Sequence, residues 1–177
     1  MVSPSRPTAE KLFETVLRVK PLTAADQSLF HICLLSFYTG RASDLNLPIQ
    51  LLLGIQRPLP GDGAARAIRT NLVTGYTPLF HKFSEVKFDL LLVSAVHSQE
   101  AVATAKNHAN TSLSGFWWHA FSPPSIRAML TARLMALPVV KLHAFISDAH
   151  NLDWSAGKLA LLRHELSWVL AELIVSG

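Results

Sequence analysis

Side chains that can exchange protons or bind anions and metals follow each of four apolar runs in the sequence. Each run has the composition of a strand buried in a sheet, and its polar residues come just after the last apolar residue. In α/β proteins the carboxyl ends of parallel strands meet at one edge of the sheet, so residues that follow them converge there. In chain order these candidates are Arg57, His97, Trp117 with His119, and Asp148 with His150.

Histidine and aspartate are the members of this set that perform acid and base chemistry. Imidazole groups can donate or accept a proton near neutral pH, which makes His97, His119 and His150 candidates for this chemistry. Asp148 is the carboxylate at a strand end, where it could bind a metal, act as a general base, or cap the following loop or helix. The sequence alone leaves the histidines open between a catalytic role and a surface hydrogen bond.

Other polar and aromatic residues near these positions fit structural roles. Strand alternation turns Trp118 away from Trp117, which predicts packing under the helices. It also turns His143 away from Asp148, which predicts a structural histidine. The remaining assignments are a solvated loop cluster for Arg66 and Arg69, exposed positions for His31, His81, His108 and His164, and core or helix-seam positions for Trp154 and Trp168.

The apolar periodicity predicts alternating strands and helices. Nearly unbroken apolar runs predict strands buried on both faces, and apolar residues three to four apart predict helices. The predicted strands cover residues 47–54, 86–96, 111–118 and 141–148. The predicted helices cover residues 8–19, 24–39, 64–82 with breaks at Gly75 and Pro78, a segment capped by Ser98 that runs to His108, a segment opened by Ser122 and Pro123 that reaches Leu137, and 155–174.

Four β-α units of this kind predict an α/β fold with a parallel sheet, preceded by two helices. An open doubly wound sheet would carry a nucleotide-binding glycine pattern after its first strand, and GIQRPLPGDG lacks that spacing. The alternative is half of a TIM-type (β/α)8 barrel, which in full takes about 250 residues. We therefore expect an N-terminal helical segment over residues 1–44 and the C-terminal half of a barrel over residues 45–177, a single domain that is incomplete alone.

Composition and charge exclude several functional classes. The net charge of +4 comes from 16 basic and 12 acidic residues, without a run of adjacent Lys or Arg that could follow a nucleic-acid backbone. The single cysteine, Cys33, excludes an internal disulfide and a cysteine-based zinc site. The sequence has neither the apolar core of a signal peptide near its start nor a run of membrane-spanning length. We expect a soluble cytoplasmic protein that binds neither nucleic acid nor membrane.

Three short motifs in the second half of the chain match a known pattern in their order and separation. They are Gly115 with Trp117 and Trp118, then Ser147-Asp148-Ala149, then Arg163-His164-Glu165. Upstream, the run LPIQLLLGIQR ends at Arg57 in a matching position. Over about residues 45–174 the chain resembles the C-terminal half of uronate isomerases, members of the amidohydrolase superfamily of metal-dependent β/α barrels.

The resemblance implies an activity and a role for each candidate residue. Uronate isomerases convert a hexuronate between its aldose and ketose forms, for example glucuronate to fructuronate, in carbohydrate catabolism. They hold a divalent metal, usually zinc, with the two histidines of a His-x-His motif and with an aspartate that Asp148 matches. The guanidinium of Arg57 suits the carboxylate of a sugar acid, and Trp117 would wall the pocket. The implied catalytic residues are Asp148, His97 and His150, and the implied substrate contacts are Arg57, Trp117 and His119.

The sequence also departs from the family pattern. No His-x-His motif occurs in its 177 residues, Leu52 stands where the family has a histidine, and His97 and His150 stand where it has arginines. These changes remove metal ligands and permanent charges, so the substrate or the reaction could differ. The other hypothesis is a non-catalytic half-barrel that serves binding or assembly, or a truncated relative with a diverged activity. In each case we expect a partner, either a second copy of the chain or a separate N-terminal half-barrel.

Overall fold

The computed structural model describes residues 5–56, 66–67, 72–117, 120–146 and 149–176. The helices in these ranges are α1 (Arg6–Leu17), α2 (Ala24–Asp44), α3 (Thr77–Lys82), α4 (Ser98–Asn107), α5 (Pro123–Ala136) and α6 (Leu152–Ser176). The strands are β1 (Ile49–Leu53), β2 (Ile55–Gln56), β3 (Arg66–Ala67), β4 (Phe88–Leu92), β5 (Thr111–Ser114) and β6 (Leu142–His143). Short 3-10 turns cover Thr74–Tyr76, Ala95–His97 and Val139–Lys141.

The main sheet has the strand order β1-β4-β5-β6, and all its strands are parallel. The chain passes through a helix between successive strands of this sheet, in the order α3, α4 and α5. The prediction of four parallel β-α units preceded by two helices is therefore confirmed, although the observed strands are shorter than the predicted ones. A separate antiparallel pair, β2 with β3, was not predicted because two-residue strands are too short to show a period.

The helices cover one face of the main sheet. Strand residues on that face, such as Leu51, Leu90 and Leu113, belong to one hydrophobic cluster with side chains of α3, α4, α5 and α6. On the opposite face of β1, Gln50 is exposed and Leu52 is 40% exposed. The prediction of strands buried on both faces is therefore wrong for β1, because the helices that contribute to this cluster pack on one side of the sheet.

Helix α5 begins where the sequence predicts. Pro123 lies in its first turn, where the missing N–H of proline costs no hydrogen bond, and Ser122 precedes it in an extended conformation. Ile126, Met129 and Leu130 of the predicted apolar stripe are buried. The burial of these three side chains determines which face of α5 packs toward the sheet.

The start of α4 differs from the prediction. Ser98 is the first residue of the helix, and His97 occupies the N-cap position without capping through its side chain. The serine that does act as a cap is Ser94, whose Oγ accepts a hydrogen bond of 3.3 Å from the N–H of Val96. The prediction of Ser98 as the cap is wrong because the turn Ala95–His97 moves the cap upstream.

An ion pair joins α5 to α6. Glu165 on α6 is only 2% exposed, and one of its oxygens accepts a hydrogen bond from Nε of Arg127 on α5. His164 Nδ1 lies 3.0 Å from the other oxygen, and the guanidinium carbon of Arg127 lies 4.3 Å from the centre of the Trp168 ring. The hydrogen bond from Arg127 holds the pKa of Glu165 below its ordinary value, against the opposing effect of burial. This cluster fixes the last helix on the one before it.

The aromatic residues of α6 lie at the surface. Trp154 is 54% exposed and Trp168 is 43% exposed, so neither has the core position that was one of the two predicted alternatives. Trp168 does lie at the seam between α5 and α6, through its contact with Arg127. Among the described residues no helix, the 25-residue α6 included, is both long enough and apolar enough to cross a membrane.

We predict opposite effects for two glycine-to-alanine substitutions. Gly115 has a φ of +33°, and a Cβ there would lie 2.9 Å from Cβ of Ile146, so Gly115→Ala should destabilise the fold by about 2 kcal/mol or more. Gly157, inside α6, has open space around it, so Gly157→Ala should stabilise by about 0.5–1 kcal/mol. Urea unfolding of both variants measures the two changes, and equal effects would contradict the prediction.

We predict an acid-dependent contribution from Glu165. Because its folded pKa lies below the ordinary value of 4.5, its stabilising effect is complete above that pH and is lost as pH falls through the folded pKa. The thermal unfolding midpoint of the wild type should therefore fall more steeply between about pH 5 and pH 3 than that of Glu165→Gln. Glu172→Gln, an exposed position on the same helix, is the matched control and should keep the wild-type slope.

Candidate functional site

The candidate residues divide into those that the structure describes and those that it does not. His97 ends the turn after β4, Trp117 follows β5 by three residues, and His150 lies between β6 and α6. The parallel strands bring the chain to the same edge of the sheet at each of these points. Arg57, His119 and Asp148 lie outside the described residues, so their predicted roles stay predictions.

His97 is buried at the carboxyl end of β4. Its side chain is 4% exposed, and its Nδ1 lies 3.4 Å from Oε2 of Glu100, one turn further along the chain. A Cβ on Gly54, at the end of the neighbouring strand β1, would lie 3.6 Å from Cδ2 of His97, so the ring packs on the glycine backbone. Gly54 has a φ of +102°, a conformation that only glycine adopts readily. The backbone conformation at position 54, and not a lack of space beside the imidazole, thus favours glycine there.

Glu100 links His97 to the turn before α3. Its Oε1 accepts two hydrogen bonds of 2.9 Å from Thr74, one from the backbone N–H and one from the hydroxyl. Burial would raise the pKa of Glu100, but the hydrogen bonds from Thr74, Val73 and His97 together lower it. A carboxylate beside Nδ1 favours the tautomer that carries its proton on Nδ1. Glu100 therefore orients the buried imidazole of His97.

Trp117 and His150 flank the ends of β5 and β6. Trp117 is half-buried, three residues beyond the last residue of β5. His150 is exposed, and its ring centre lies 6.1 Å from that of Trp154 in an edge-to-face arrangement. An exposed imidazole at this position can meet a ligand from solvent without any movement of the fold.

The strand face opposite the helices carries a carboxylate that belongs to none of the sequence motifs. Asp89, the second residue of β4, accepts hydrogen bonds from Gln50 Nε2 on β1 at 2.8 Å and from Ser112 Oγ on β5 at 3.1 Å. Ser114 Oγ donates to it as well. The register places Gln50, Asp89 and Ser112 side by side, so one hydrogen-bonded row crosses three strands. The signal was a single acidic residue within the apolar run VKFDLLLVSAV.

A second residue that the sequence did not single out is Arg133 of α5. It is 2% exposed, its Nη1 donates a hydrogen bond of 3.1 Å to the carbonyl of Gly115, and its guanidinium carbon lies 4.8 Å from the centre of the Phe116 ring. Burial lowers the pKa of Arg133 to about 10, and the charge of Asp89 opposes that shift. A cation is thus held inside the fold at the carboxyl end of β5.

The described residues do not by themselves form a metal site. No group of three or more His, Cys, Asp or Glu side chains with a suitable arrangement occurs among them. Asp148, the predicted ligand, lies outside these residues. A metal bound as predicted would need ligands beyond the part of the chain that the structure describes.

A cavity of about 310 Å³ opens at the amino-terminal ends of the strands, opposite the predicted site. Its lining includes Lys87, Asp89, Ser112, Lys141 and His143. In β/α proteins this end of the sheet serves stability, and ligands bind at the other end. We therefore do not assign the proposed chemistry to this cavity.

We predict that Glu100 stabilises the fold through its contacts with Thr74 and His97. Glu100→Ala removes the acceptor of the Thr74 N–H and of His97, so it should destabilise the fold by about 1–3 kcal/mol. Glu85→Ala, at an exposed position, should change stability by less than about 0.5 kcal/mol. Urea unfolding at pH 7 measures both, and equal values would show that the Glu100 contacts contribute nothing.

Comparisons with known proteins point in one direction. No protein-family model matches the sequence, and no curated protein matches it significantly. Among solved structures, a uronate isomerase from Thermotoga maritima superposes with a TM-score of 0.91 at 16% sequence identity, covering 100% of this chain and 42% of that one. A glucuronate isomerase from Caulobacter crescentus gives a TM-score of 0.87 at 19% identity, covering 99% of this chain and 39% of that one.

A uronate isomerase from Bacillus halodurans gives a TM-score of 0.65 at 22% identity, with 88% of this chain and 35% of that one covered. The chain thus spans less than half the length of each of these structures. At such low identity the likeness establishes the fold. The chain resembles a part of a uronate isomerase, corresponding to half of its β/α barrel.

Proposed function

We propose that the chain is one half of a uronate isomerase-like enzyme that converts a hexuronate between its aldose and ketose forms, as in glucuronate to fructuronate. The observation that carries the proposal is the superposition of the whole chain on the Thermotoga maritima uronate isomerase at a TM-score of 0.91. The motifs around Trp117, Asp148 and Glu165, which follow the uronate isomerase order, support the same conclusion.

In this proposal the strand ends of the chain supply the substrate-facing side chains. Arg57 binds the carboxylate of the sugar acid through its guanidinium fork, and Trp117 shields the pocket from water. Asp148 acts as the base that moves a proton between adjacent carbons of the sugar. His97, His119 and His150 provide further proton donors and acceptors.

The proposal extends to a divalent metal, zinc, with Asp148 as the ligand from this chain. Zinc would polarise the oxygen of the substrate carbonyl. Because the 177 residues contain no His-x-His motif, the remaining ligands would come from a second polypeptide that also supplies further strands. The partner is then either a separate N-terminal half-barrel, which brings the His-x-His motif, or a second copy of this chain.

A second candidate function is that of a non-catalytic assembly module. It is favoured by the sheet itself, because β1 and β6 are edge strands of the described sheet and Leu52 of β1 is 40% exposed. Unpaired strand edges bind other strands readily. Such a module would bind the same kind of partner as the enzyme half but would acquire no activity from it.

We predict that activity depends on a complementing half. The purified chain alone should not isomerise glucuronate or galacturonate. Mixing or co-expressing it with the part of the Thermotoga maritima uronate isomerase that it does not cover should restore bound zinc and turnover. Elemental analysis measures the zinc, and proton NMR of the sugar measures the conversion.

Asp148→Asn in the complemented protein should abolish both zinc retention and turnover, because an amide is a far weaker zinc ligand and no base. Asp153→Asn, an exposed carboxylate at the start of α6, is the matched control and should leave both unchanged. Turnover by the chain alone would contradict the need for a partner. A complex that forms but remains inert and free of metal would favour the assembly module.

A further inference from the structure

Arg133 is a buried cation whose hydrogen-bonding groups are only partly satisfied by the described residues. Its Nε and Nη2 groups are buried and have no hydrogen-bond partner among the described residues. A buried ion with unmet hydrogen bonds destabilises a fold, and an apolar side chain of similar size is often neutral or stabilising in its place. The contacts that the structure describes for Arg133 therefore point to a requirement other than stability.

The bond that Arg133 does make reaches the carboxyl edge of the sheet. Helix α5 starts beside that edge, and side chains on a helix lean toward its N-terminus. Arg133 lies near the end of α5, yet its Nη1 reaches back to the carbonyl of Gly115, the residue that directly follows β5. The next residue of the chain is Phe116, and its ring lies against the guanidinium of Arg133.

Gly115 is the point where the ends of β5 and β6 touch. Its N–H donates a hydrogen bond of 2.7 Å to the carbonyl of His143, the last residue of β6. Its Cα packs against Ile146 so closely that a Cβ would lie 2.9 Å from Cβ of that residue. The hydrogen bond from Arg133 thus holds Gly115. Gly115 is also hydrogen-bonded to β6 and packed against the segment that follows β6.

We propose that Arg133 is a positioning residue whose hydrogen bond to Gly115 holds together the ends of β5 and β6, the two segments that lead along the chain to Trp117 and Asp148. Asp89 supplies a favourable charge for the guanidinium ion. The inference concerns the arrangement of the candidate site and does not depend on which reaction occurs there.

The test compares Arg133→Lys with Arg133→Met, two unbranched side chains of similar length that differ in whether they can donate to the Gly115 carbonyl. Amide hydrogen exchange by NMR is measured over residues 115–117 and 144–146. We expect Arg133→Met to raise exchange in these segments about tenfold or more relative to the rest of the sheet, and Arg133→Lys to keep it within about threefold of the wild type. The thermal unfolding midpoint of Arg133→Met should equal or exceed that of the wild type.

Met129→Ala is the matched control, because Met129 is buried on the same helix and makes a packing contribution. It should lower the unfolding midpoint and speed exchange across the whole core without favouring the two segments. The proposal is overturned if Arg133→Met behaves like this control or does not fold, since stability would then explain the arginine. Equal exchange in the Lys and Met variants would overturn it as well, because the hydrogen bond would not be what holds the segments.

Discussion

The parallel alignment of four short strands is the constraint on which the rest of the structure depends. Backbone pairing of β1, β4, β5 and β6 in one direction brings every strand end of the main sheet to the same edge. The same pairing fixes the register, which places Gln50, Asp89 and Ser112 in a single row. A shift by one residue would turn these polar groups toward the helices and expose the apolar cluster, so burial of one face specifies the register.

The two faces of this sheet differ in the forces that act on them. On the helix side, apolar side chains of strands and helices form one cluster whose stability comes from the removal of apolar surface from water. On the other side, Asp89 receives side-chain hydrogen bonds from neighbouring strands, and Leu52 is left partly exposed. A polar, partly open strand face is what half of a closed barrel would present to the other half, which agrees with the superposition on part of a uronate isomerase barrel.

The carboxyl edge combines buried polar side chains with positions open to solvent. His97 and Arg133 are both buried there, the first next to Glu100 and the second bonded to Gly115. His150 is exposed at the same edge. Buried groups of this kind can hold the strand ends in a fixed arrangement, while exposed ones can meet a ligand, and a working site needs both.

The sequence by itself determined the order and type of the main elements. Its signals were unbroken apolar runs, the proline at the start of α5 and the apolar stripe of Ile126, Met129 and Leu130. Such signals are local, so they can be read without knowledge of the fold. Motif order also indicated the resemblance to uronate isomerases, which the superposition of the backbone supports.

Only the tertiary structure decided which apolar residues are buried and which polar ones meet. Leu52 and Trp154 look like core residues in the sequence but are exposed, because burial depends on which helix packs over them. Asp89 and Arg133 gave no motif, since their partners lie on other strands and helices, far away along the chain. Contacts between distant segments depend on how the strands pair. The spacing of residues within one segment carries no information about that pairing.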